Sequence, residues 1–109
     1  MADILKVLGQ SAPSAATLTT LYTVPAARSA LVSSVVVANR SATPTAFRIS
    51  LAIAAAADAT SQYLYYDVPI DGTDTFAATL GITLATTDLI RCYATLATLT
   101  FTALGIEIS

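Results

Sequence analysis

Residues 47–53 read Phe47-Arg48-Ile49-Ser50-Leu51-Ala52-Ile53. Phe47, Ile49, Leu51 and Ile53 fall on one parity, and Arg48 and Ser50 on the other, which is the two-residue period of a strand with one buried and one exposed side. The alternation continues along the chain. Leu64, Tyr66, Val68 and Ile70 form a second inward row and leave Tyr63, Tyr65 and Asp67 pointing outward. Phe76, Ala78, Leu80, Ile82 and Leu84 follow on even positions, with Gly81 marking a break or bulge between them. Ile90, Cys92 and Ala94 make a short inward row opposite Leu89, Arg91 and Tyr93, so Cys92 reads as a small core hydrophobe and not as a nucleophile.

Before this stretch, residues 30–38 (Ala30-Leu31-Val32-Ser33-Ser34-Val35-Val36-Val37-Ala38) are apolar on both faces. A central strand covered by the other sheet and by a neighbouring chain or arm has this pattern. At the other end the period slips: Leu99 and Phe101 lie on one parity, Leu104, Ile106 and Ile108 on the other. One extra residue around 103–105 would restore a common inward face, which predicts a β-bulge there. Turn chemistry falls at Pro25-Ala26-Ala27, Asn39-Arg40-Ser41, Asp71-Gly72 and Thr86-Thr87-Asp88, spaced as in a sandwich. The four alanines at 54–57 favour helix but are too few to nucleate one, so they read as a loop with at most one helical turn. Residues 4–8 fit either an edge strand or an arm reaching a neighbour. The expectation is all-β: a single antiparallel β-sandwich or jelly roll of about eight strands, one domain over residues 1–109, with residues 1–15 able to extend as an N-terminal arm.

Composition narrows the function. Of 109 residues, 55% are hydrophobic and only 11% charged, against a usual charged share of about 25%. Such a chain should fold and then hide part of its outside. A formal charge of −2 provides neither a nucleic-acid footprint nor a polybasic membrane anchor. The mean hydropathy of +0.70 comes from dispersed alanine and β-branched residues, and no stretch is long and apolar enough for a helical span. The start, Met1-Ala2-Asp3-Ile4-Leu5-Lys6, lacks the basic and then apolar pattern of a signal peptide. With the lone Cys92, it predicts a protein made in a reducing cytoplasm.

The chain has no histidine and one cysteine, which removes His-based acid–base chemistry, Cys/His zinc clusters and intrachain disulfides. Asp67, Asp71 and Asp74 are close enough to suggest a Ca²⁺ loop. The simpler reading is a hairpin turn at Asp71-Gly72 with Asp74 capping it, so no metal and no cofactor are expected. Nothing in the pattern singles out a carboxylate pair for glycoside hydrolysis, and the isolated glycines make no phosphate loop. The chain is expected not to be an enzyme. Arg48, Tyr63, Tyr65, Arg91 and Tyr93, all opposite the inward rows, are candidate contact residues, since Tyr and Arg are enriched where protein surfaces meet. Pairing across strands on a solvent face is the alternative reading for each of them.

The order of segments carries one further indication. Leu21-Tyr22-Thr23-Val24-Pro25-Ala26, then Ser34-Val35-Val36-Val37-Ala38-Asn39-Arg40, Phe47-Arg48-Ile49, Tyr65-Tyr66-Asp67, Leu84-Ala85-Thr86-Thr87-Asp88-Leu89-Ile90-Arg91 and finally residues 101–108 resemble small virion structural proteins of tailed bacteriophages. The resemblance implies a β-sandwich that assembles on the head or tail of the particle, often as a homotrimer, without catalytic residues. It makes a capsid decoration or cement protein the leading expectation, with itself and the major capsid protein as partners, no nucleic acid or membrane, and the virion as its location. A tail-fibre, baseplate or head-fibre domain binding a host surface is the alternative. A small hydrolase of host polysaccharide has no residues to support it.

Overall fold

Eight strands succeed one another in the computed structural model, which describes residues 3–108: β1 (Asp3–Ser11), β2 (Thr19–Thr23), β3 (Ser29–Asn39), β4 (Thr45–Ala52), β5 (Tyr63–Ile70), β6 (Thr75–Leu84), β7 (Leu89–Ala94) and β8 (Leu99–Ile108). They form two four-stranded sheets, β1-β8-β3-β6 and β2-β7-β4-β5, in which every paired neighbour is antiparallel. The pairing is nested: β1 with β8, β2 with β7, β3 with β6 and β4 with β5. A long hairpin bent at the β4–β5 loop and rolled on itself produces this order, the jelly roll. Residues 4–8 lie in the paired edge strand β1 and not in an extended arm.

Because only β4 and β5 are consecutive within one sheet, the other connections cross between sheets. The Asp71-Gly72 turn, expected as a hairpin, is therefore a crossover from β5 to β6. It is tied to the β3–β4 loop, where the Thr73 N–H donates to the Ser41 carbonyl at 2.7 Å. A Cβ on Gly72 would collide with the Ala42 backbone, which is why the position has no side chain. Asn39, 4% exposed, closes the same corner. Its Nδ2 donates to the carbonyls of Thr43 (2.9 Å) and Asp71 (3.1 Å), and its Oδ1 accepts from the Ser41 N–H (3.1 Å). Asn39→Ala would strip three backbone groups of their partner, so urea denaturation should show a loss of about 2 kcal/mol.

The inner faces meet in one aliphatic and aromatic core. Phe47 is its hub, with ring centroids 5.2 Å from Phe76, 6.1 Å from Phe101 and 6.4 Å from Tyr65. Ile90, Cys92 and Ala94 are fully buried, as the alternation in β7 requires. Burial pushes the Cys92 thiol up to about 12, which fits a structural residue. β3 is the central strand expected, flanked by β8 and β6. Gly81 has φ +63° where two residues of β6, Leu80 and Gly81, oppose Ser33 of β3, so the bulge in β6 is present.

Three expectations about facing are corrected. In β5, Val68 lies opposite Phe47 and Tyr65 opposite Ile49, so β5 carries an extra residue there, and Asp67 takes φ +50°. Such a bulge reverses the parity just upstream of it: Tyr65 packs inward, while Leu64 and Tyr66 are exposed at 43% and 56%, and a second shift, with Ser50 opposite Tyr63, returns Tyr63 to the outer side. In β8 there is no bulge. Leu99, Phe101, Ala103, Gly105 and Glu107 all face inward, and the extra residues sit in its partners, between Val7 and Gly9 and between Val32 and Ser34. The inward row tapers because a Cβ on Gly105 would run into the Leu31 carbonyl. Leu104, Ile106 and Ile108 consequently lie on the outer face. The β4 alternation also ends early, since the strand stops at Ala52. Ile53 opens a short turn with Ala54 and Ala55 at positive φ and is 70% exposed.

Candidate functional site: two outer sheet faces

The outer face of β2-β7-β4-β5 gathers aromatic rings around one guanidinium. Arg48 on β4 stacks over Tyr66 of β5 at 4.1 Å from the ring centroid and over Tyr93 of β7 at 4.5 Å. Its Nε donates to Asp67 Oδ1 at 2.6 Å. Tyr63 meets the edge of Tyr66 at 5.0 Å and 89° and donates to Asp58 Oδ2 at 3.3 Å. Burial and that hydrogen bond raise the Tyr63 hydroxyl above the ordinary tyrosine range. Arg91 lies across from Ser50 in the register and donates from Nη2 to the Ala56 carbonyl at 2.9 Å. Ser50, expected to be exposed beside Arg48, does sit on this side of β4 but is completely covered, with Arg91 and Tyr63 as its cross-strand neighbours.

Four of the five contact candidates, Arg48, Tyr63, Arg91 and Tyr93, are thus brought to one face. Tyr65 leaves the set, and Tyr66, which the alternation placed in the core, takes its place because of the Asp67 bulge. The ring–guanidinium contacts are favourable cation–π geometry. They hold the side chains in a preset arrangement, as contact residues need if they are to bind without a large ordering cost.

The outer face of β1-β8-β3-β6 has the opposite chemistry. Cross-strand partners place Leu5, Ile106, Leu31 and Thr83 in one row, and Val7, Leu104, Ser34 and Thr79 in the next. Val36 and Ala77 extend it along β3 and β6. Leu5 is 80% exposed and Val7 48%. Asp3, at the corner opposite Ile108, is the one charged side chain in the paired rows of this face among the described residues, and Arg40 follows β3 at its far end, where its N–H donates to the Thr98 carbonyl. A continuous apolar and threonine surface of this kind marks an interaction site more often than a solvent face. Hydropathy alone places Leu104, Ile106 and Ile108 in the core, which hides this face in the sequence.

A third feature, Glu107, had no sequence signal beyond its being the single glutamate. The β8 alternation turns it inward at one end of the sandwich, 4% exposed. Tyr22 donates its hydroxyl proton to Oε2 at 2.7 Å, and Lys6 and Arg28 lie 3.4 and 3.6 Å from Oε1. The Tyr22 hydrogen bond, helped by Lys6 and Arg28, holds the carboxyl below its usual range against the effect of burial. Burial and the carboxylate together raise the Tyr22 hydroxyl. Two cations and a hydroxyl share the one buried carboxylate and compensate its charge, so the group reads as a structural clasp between β1, β2 and β8.

The aspartates proposed for Ca²⁺ are engaged separately. Asp67 holds Arg48, and Asp74 accepts from the Thr75 N–H at 2.8 Å. Among the described residues no three acidic, cysteine or histidine side chains converge on a point. An open groove of about 280 Å³ beside β5, lined by Leu51, Ile53, Ala56, Ser61, Gln62 and Leu64, has no ionisable lining residue. No helix of the described residues is long and apolar enough to cross a membrane. No family model matches the chain, and no curated protein matches it in sequence.

Proposed function

We propose that this chain is a structural protein of a tailed-phage virion, a capsid decoration or cement protein that holds neighbouring capsomers together by non-covalent contact. It acts as a homo-oligomer, for which the family resemblance suggests a trimer. The observation that supports this reading best is the segregation of its two outer faces, one neutral and aliphatic, the other aromatic and arginine-bearing. A sandwich with two unlike adhesive faces can join its own copies through one and a second protein through the other. In the proposal, Arg48, Tyr63, Tyr66, Arg91 and Tyr93 meet the major capsid protein. Many modest contacts of this kind add up, because each is effectively intramolecular once the first has formed.

The test is quantitative mass spectrometry of purified virions. Copies in fixed proportion to the major capsid protein are the expected result. Copies in proportion to tail proteins would replace the reading with the tail-fibre or baseplate alternative, and absence from the particle would overturn both.

A further inference from the structure

We propose that the outer face of the β1-β8-β3-β6 sheet is the surface through which copies of this chain associate, each face being covered by the same face of a second copy. This rests on the homo-oligomer reading above and names the surface responsible for it; a face covered by its own copy closes about a twofold axis, so the inference gives a dimer in place of the trimer that the resemblance suggests.

Charge selects the occupant. Of the five cationic side chains, Lys6 and Arg28 turn to Glu107, Arg48 and Arg91 belong to the other sheet's outer face, and Arg40 donates to the Ala97 carbonyl at 2.9 Å. The face therefore offers a single cation, Arg40 at its far end and already turned to a carbonyl, too little for a phosphate backbone or an anionic lipid surface. A charged protein surface placed on it would lose hydration and gain no partner in return. What fits is a second neutral, ridged sheet, and the chain itself carries one. Sheets pack face to face with rows interdigitating about 10 Å apart, and a twofold axis brings identical rows together.

The size is also adequate. The four strands have 9, 10, 11 and 10 residues. At about 3.4 Å per residue and about 4.8 Å between strands, the face covers roughly 600 Å². Two copies would bury roughly 1,200 Å² in total, which reaches the range of stable specific complexes. Leu5, on the edge strand and 80% exposed, is the most protruding apolar side chain of the face and should insert between the partner's rows.

The experiment is sedimentation equilibrium of the purified chain at about 10 µM, a concentration that populates any complex of micromolar affinity. The wild type is expected at twice the 11.2 kDa chain mass. Leu5→Lys with Ile106→Lys is expected to weaken association at least about a hundredfold, while circular dichroism retains the β spectrum. Tyr66→Ala with Tyr93→Ala, on the other sheet, should leave the mass unchanged. A monomeric or trimeric wild type, or a folded lysine variant that keeps the wild-type mass, would overturn the proposal, as would dissociation by the tyrosine pair. If the double lysine variant fails to fold, Leu5→Lys alone is read by the same criteria, since so exposed a side chain contributes little to the core. The measurement uses the isolated chain, so its failure is independent of where the protein sits in a virion.

Discussion

Tyr65→Ala is expected to destabilise the protein by about 3 kcal/mol, a drop in melting temperature of roughly 15 °C, while Tyr66→Ala leaves stability within about 1 kcal/mol. The two residues are adjacent and chemically identical. The difference comes from the Asp67 bulge, which turns Tyr65 into contact with Phe47 and Phe76, the latter at 5.6 Å and 75°. Removing that ring leaves a cavity beside the hub of the core and deletes an edge-to-face pair. Tyr66 is 56% exposed, and its truncation opens no interior space. Thermal denaturation of the two single variants decides the matter. Equal losses would mean that the bulge does not set the facing of β5, and the reverse order would restore the plain alternation.

Glu107→Ala is expected to cost a similar amount, about 3 kcal/mol, because it leaves the buried Tyr22 hydroxyl without an acceptor and removes the shared partner of two cations. Lys6 and Arg28 retain 42% and 35% side-chain exposure, so water recovers part of their solvation and holds the cost near the lower limit for a broken buried pair. The same carboxylate links folding to pH. Its pKa in the folded protein is lowered, so the folded state binds the proton less readily than the unfolded state, whose glutamate titrates near 4.3. Its contribution is complete above about pH 5 and is lost as pH falls through the folded value. Wild type should lose stability progressively below about pH 4.5, and Glu107→Gln should show a shallower acid limb from a lower starting point. Parallel acid limbs in wild type and Glu107→Gln would assign the acid sensitivity to the aspartates instead.

How much of this was legible beforehand differs from element to element. The even-numbered row of β6, the Ile90-Cys92-Ala94 row of β7 and the positions of the four turns are legible directly, because each depends on residues adjacent in the chain, whereas that the Asp71-Gly72 turn crosses between sheets is not. A polar–apolar alternation reports its own buried side, and Gly, Pro, Asn and Asp carry their turn preferences with them. Much of the aromatic face was legible for the same reason. Arg48, Arg91 and Tyr93 stand on strands whose alternation runs unbroken from their neighbours.

Where facing depends on a partner strand, the local pattern was not enough. The β5 bulge is defined by how many residues oppose Phe47 and Ile49, and this is a property of the β4–β5 pair. Leu104, Ile106 and Ile108 look like core on hydropathy alone, yet the tapered space beneath β8 accepts Gly105 and a neutralised Glu107 in their place. That space is set by the close approach of the Leu31 carbonyl and by Leu8 from β1. By itself, then, the sequence determined the class of fold, the strands from β3 onward and the places of the turns, since these follow from periods and preferences that a few consecutive residues carry. The tertiary structure alone decided which side of β5 and β8 is buried, and with it the neutral outer face and the Glu107 clasp. Register and bulges are settled between strands far apart in the chain, and a one-residue shift there exchanges the two faces.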